Sequence, residues 1–68
     1  MKLYFENSNC ERKLIAQPQT REEAMQEMIK FCEDRNFDVY YTRSWRNQEE
    51  NLVVFDVGSW TEFFLLDD

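Results

Sequence analysis

The chain predicts an α+β fold: a mostly antiparallel five-stranded sheet in the order ββαβββ, with one helix packed on one face. Three observations lead there. Apolar residues recur at helical spacing between Arg21 and Arg35, and on either side the alternation drops to every second residue. The one glycine, Gly58, falls between two apolar runs, Leu52 to Val57 and Trp60 to Leu66, where a hairpin turn belongs. At 68 residues the chain has the length of a single domain, residues 1–68. A domain of that size buries only about 60% of the surface its unfolded chain exposes.

In the first strand Leu3 and Phe5 alternate with Lys2, Tyr4 and Glu6. Asn7-Ser8-Asn9 supplies turn chemistry, because asparagine tolerates left-handed backbone and bonds to its own turn. A second strand from Glu11 to Gln17 places Leu14 and Ala16 inward, with Glu11, Lys13 and Gln17 outward. Pro18 then suits a chain that has left a strand and not yet entered a helix. Thr20 and Glu23 have the spacing of a capping box, and the helix follows. Met25, Met28, Ile29 and Cys32 form its apolar stripe, widened by Ala24 and Phe31, with Glu22, Gln26, Lys30 and Glu33 on the wet side. Val39, Tyr41 and Trp45 mark one face of a third strand that Arg43 interrupts, and the stretch from Asn47 to Asn51 reads as a polar loop.

The last two strands carry the functional expectation. Gly58-Ser59 reads as a two-residue type II′ turn, since glycine supplies the positive φ that the first turn position needs. That turn places Val57 opposite Trp60 and Val53 opposite Phe64. One face then carries Leu52, Val54, Phe63 and Leu65, and the other carries Val53, Phe55, Val57, Trp60 and Phe64, with Glu62 among them. Both faces are apolar, and one helix covers one side of a sheet. The cost of burying Glu62 unpaired favours placing Leu52, Val54, Phe63 and Leu65 under the helix. Val53, Phe55, Val57, Trp60 and Phe64 are then expected to form an outward patch that binds a protein partner or a second copy. The alternative is that a bulge or twist shifts the register and these side chains complete the core.

Composition narrows the chemistry. Fourteen acids against eight cations, a net charge of −6, disfavour nucleic acid and anionic membranes as partners. No stretch approaches the roughly 20 apolar residues of a membrane span, and Glu6 interrupts the N-terminus before a signal-peptide apolar region forms. With two cysteines, Cys10 and Cys32, a reducing cytoplasmic setting is expected, with no cofactor and no small-molecule substrate evident. An aromatic sheet can stack single-stranded bases, but Arg12, Arg43 and Arg46 are scattered through an acidic total. The chain has no histidine, no cysteine pair at metal spacing and no glycine-rich phosphate loop. Asp56 and Glu62 fall on opposite faces of the predicted hairpin and cannot work as an acid–base pair, so Asp56 is expected to bond to Thr61 or to turn backbone. Catalysis is not expected.

The run Val54-Phe55-Asp56-Val57-Gly58-Ser59-Trp60-Thr61-Glu62-Phe63-Phe64 resembles a C-terminal signature of short uncharacterised proteins of Gram-positive bacteria and their phages. There an aspartate, a Gly-Ser turn and a Glu-Phe-Phe run follow a hairpin and one helix. The resemblance covers mainly residues 54 to 64; it implies a phage or prophage setting and assigns no activity. The expected function is therefore a small non-catalytic interaction or regulatory protein that docks through the aromatic patch. The alternative is an acidic inhibitor whose Glu22, Glu23, Glu27, Glu33, Asp34, Glu49, Glu50, Asp67 and Asp68 stand where phosphates would lie on a nucleic-acid-binding protein.

Overall fold

Strand β1 (Lys2–Glu6) turns back at once into β2 (Arg12–Ala16). The Asn7 side chain holds the turn, its Oδ1 accepting from the backbone N–H groups of Asn9 at 2.9 Å and Glu11 at 3.0 Å. The left-handed position falls on Cys10, at φ 62°. Helix α1 (Arg21–Asp34) follows, then β3 (Arg43–Asn47), β4 (Leu52–Asp56) and β5 (Phe63–Asp67). This computed structural model describes residues 1–36, 42–58 and 61–68. The α+β class and the ββαβββ order are as the sequence predicts.

The helix begins as its sequence dictates. The Thr20 hydroxyl accepts from the Glu23 N–H at 3.1 Å, and the Glu23 carboxylate accepts from the N–H of Gln19, one residue before the cap, at 2.9 Å. It ends where Asn36 takes a left-handed φ of 53° and donates back to the Glu33 carbonyl. Ala24, Met28 and Cys32 are its buried line, flanked by half-buried Met25 and Phe31. Ile29, expected in the stripe, is 48% exposed.

The sheet is antiparallel throughout, in the order β2-β1-β5-β4-β3. The strand last in sequence thus lies in the middle, between β1 and β4. Its register fixes which side chains meet the helix. Leu3 is opposite Leu66, which is opposite Val53; Phe5 is opposite Phe64, which is opposite Phe55. These six, with Val57, join Ala24, Met28 and Cys32 in the core. In β2 the register slips by one residue where Leu3 faces Ala16 and Tyr4 faces Leu14, leaving Ile15 as an extra residue. Ile15 and Ala16 consequently both pack toward the core, while Leu14 turns to the other side. The inward placing of Leu14 is corrected by this bulge.

The C-terminal hairpin differs from expectation in its register. Phe55 is opposite Phe64, and Val54 is opposite Leu65, so each pairing is offset by two residues from a tight Gly-Ser turn. The connection runs instead from Val57 to Glu62. Gly58 does take positive φ, at 99°. An offset of two preserves side-chain parity, so the sorting of residues into two faces survives the change.

Candidate protein-binding face of the sheet

The helix covers the opposite face from the one expected. Val53, Phe55, Val57 and Phe64 are between 1% and 5% exposed and lie in the core against the helix. Their predicted role as an outward docking patch is corrected: side chains sealed beneath a helix cannot reach a partner. Trp60, the fifth member of that patch, lies outside the described residues, as do Val39 and Tyr41 of the expected third strand. The Glu62 carboxylate does not prevent this arrangement. Glu62 stands at the end of the connection before β5 and is only half-buried, so seating its neighbours under the helix does not bury a bare carboxylate.

The face turned away from the helix carries Leu52, Val54, Phe63 and Leu65, as sorted from the sequence, and gains residues from all the other strands. Register places Leu14, Tyr4, Leu65, Val54 and Trp45 side by side, one from each strand in spatial order. This apolar row crosses the whole sheet. On the helix side the corresponding rows become polar or small at the edges, ending in Lys13 and Ser44 or in Ala16 and Arg46. On the open side the row ends in Leu14, 42% exposed, and Trp45, 43% exposed. Polar groups border it: Arg12, Glu6, Asp56 and Arg43 on one flank, Lys2, Asp67 and Asn47 on the other. An apolar strip with a polar rim is the layout of a protein-contact surface.

The middle of the strip is nevertheless dry. Val54 is 7% exposed and Leu65 4%, with no described helix above them. Two features contribute to this. Trp45 and Phe63 turn their rings together edge to face, 6.4 Å apart. Arg12, on one edge strand, reaches Glu50 in the turn after β3, the other edge strand, through both terminal guanidinium nitrogens, with Nη2 to Oε1 at 2.9 Å; its Nε donates to Glu6 at 3.0 Å. These partners are 38 residues apart, and they meet because the twist of the sheet carries two diagonal corners toward each other. The Arg12 guanidinium holds the Glu50 carboxyl below its ordinary range, and Glu50 and Glu6 raise Arg12 in turn.

Elsewhere the charges serve the frame. Asp56, buried, accepts from the Gly58 N–H at 2.9 Å through Oδ1 and from Arg43 at 3.0 Å through Oδ2. The bond to turn backbone is the one expected of it. Asp68 joins Arg21 at the helix start to Arg46 on β3, and those two cations lower its pKa. Cys10 and Cys32 are both free thiols, and burial, then Glu62, pushes the Cys32 thiol up, away from the reactive thiolate. Phe5, Phe31 and Phe64 cluster with tilted or edge-on rings, centroids 4.8 to 5.7 Å apart, and Arg35 lies 4.4 Å over Phe31. The cavity beside them is about 30 Å³, room for about one water. Among the described residues no three acids or thiols gather as a metal site, and no helix is long and apolar enough to cross a membrane.

Sequence reasoning singled out Trp45 as a strand marker and missed its place in the strip. It missed Leu14 because a bulge has no signature in the alternation, and it missed the Arg12–Glu50 pair because nothing local links the two. Comparison of the chain with protein-family models, with curated proteins and with solved structures found no match in any of the three.

Proposed function

We propose that this is a small non-catalytic interaction protein that binds a protein partner through the open face of its sheet, with Leu14 and Trp45 as the first points of contact and Phe63 and Tyr4 between them. One observation carries the reading: the apolar row on the open face runs on to both edge strands, where Leu14 and Trp45 are exposed, while the helix-side rows do not. A phage or prophage setting goes with it, on the strength of the Asp56, Gly58-Ser59 and Glu62-Phe63-Phe64 signature, and a cytoplasmic one on the strength of the two free cysteines. The test is affinity capture from host cells with the wild-type chain, Leu14→Ser and Trp45→Ala. A partner retained by the wild type at 0.5 M salt or so and lost by both variants fits an apolar contact. Equal retention by all three chains would sink it.

A second reading, the acidic inhibitor that occupies a nucleic-acid-binding groove, draws on the helix. Glu22, Glu27, Glu33 and Asp34 take part in none of the ion pairs among the described residues, whereas Arg12, Arg21, Arg43 and Arg46 are all engaged elsewhere. Its capture would fall steeply as salt rises and would be indifferent to Leu14→Ser.

A further inference from the structure

The two edges of the sheet are not alike. The outer strand β2 is broken by the bulge at Ile15, a device that spoils pairing with another chain. The opposite edge, β3, is regular, with all five residues in unbroken register with β4, and no other described strand lies on its outer side. It contains no proline, and four of its five residues are exposed.

We infer that β3 pairs antiparallel with β3 of a second copy, about a two-fold axis through Trp45, to give a continuous ten-stranded sheet. The inference rests on the reading of the open face as a contact surface, and it identifies what covers the Trp45 end of that surface. Read against itself about Trp45, the strand Arg43-Ser44-Trp45-Arg46-Asn47 is self-complementary. Arg43 meets the partner's Asn47, Ser44 meets the partner's Arg46, and Trp45 meets the partner's Trp45. No two like charges stand opposite, which directly facing strands do not tolerate well. Each arginine of the edge is also matched inside its own chain, Arg43 by Asp56 and Arg46 by Asp68, both at 3.0 Å. The edge is therefore close to neutral although the chain carries −6, and two copies approach through their least repulsive side. The two indoles come side by side on the open face, and the apolar strip of one copy continues into that of the other. A two-fold axis makes the contact isologous and closes it at two copies.

The register gives the test. Directly opposite residues have Cα atoms about 4.5 to 5.5 Å apart, within the span a disulfide bridges. In a Cys10→Ser background, Trp45→Cys should cross-link to itself under mild oxidation at least about tenfold faster than Ser44→Cys, whose own copy is displaced by two positions along the strand. Sedimentation of the wild-type chain over a concentration series should show a monomer–dimer equilibrium that Leu14→Ser, on the far edge, leaves unchanged. A chain that stays monomeric throughout, or cysteines at 44 and 45 that cross-link equally fast, overturns edge pairing. So does a dimer that Leu14→Ser dissolves, which would mean face-to-face contact. Loss of the dimer with Leu14-dependent capture of another protein intact would remove this inference and leave the proposed function standing.

Discussion

The two sides of β4 and β5 are equally apolar in sequence and are kept dry by different means. One side lies beneath a helix, whose Ala24, Met28 and Cys32 close over Val53, Phe55, Phe64 and Leu66. The other has no second layer among the described residues. It is sheltered by the sheet's own curl, by the rings of Trp45 and Phe63, and by an arginine that reaches from one corner to a carboxylate at the other. The lesson is that a strongly twisted small sheet can cover part of its own back. Counting layers from sequence underestimates burial for such a sheet, and among the described large apolar residues of that face only Leu14 and Trp45, at the rims, are exposed.

Three measurements sharpen or break that contrast. The largest effect is expected from Phe64→Ala on the helix side. Phe64 is 1% exposed and meets Phe5 and Phe31, so the cavity it leaves should cost about 3–5 kcal/mol in urea unfolding, enough to unfold much of a domain this small. Leu65→Ala on the open side should cost about 2 kcal/mol or more, as for a core leucine. A loss under about 0.5 kcal/mol, the range of a surface site, would show that the curl does not close the face in solution.

The smallest effect belongs to the clasp. Glu50→Gln should lower stability slightly at neutral pH, and the difference should shrink with added salt, as for other exposed ion pairs. Its pH dependence has a definite sign. Glu50 is held below its ordinary value of 4.5, so its contribution is present above that value and fades as pH falls through the lower folded one. Wild type and variant should therefore converge in acid. A difference that persisted at pH 2 would assign the effect to packing and not to charge.

Much of the fold was legible in the chain. The capping box at Thr20 and Glu23, the alternation in β1, β4 and β5 and the sorting of Leu52 to Leu66 into two faces all follow from local spacing. What was not legible is non-local. Whether Phe64 or Phe63 meets the helix depends on β5 pairing with β1, since Leu3 and Phe5 were readable as inward from their own alternation and bring Leu66 and Phe64 with them. Strand order, and not the hairpin, decides the matter. The candidate site was misplaced for that reason: its residues were grouped correctly and assigned to the wrong side. Leu14 was hidden by an inserted residue, and the Arg12–Glu50 contact by a sequence separation of 38.

The central position of β5 has a consequence for how the molecule is assembled in time. The β1–β2 and β3–β4 hairpins can each zip from their own turns as they leave the ribosome, but no strand of one pairs with a strand of the other. They wait for Phe63–Asp67 to slot between them, the strand synthesised after both. Until it emerges, the growing chain presents two unsatisfied strand edges with no common core, and such late, distant pairings are slow to form. A nascent chain stalled at residue 62 should be as sensitive to protease as an unfolded one, and cooperative resistance should arrive in a single step once the last strand is free.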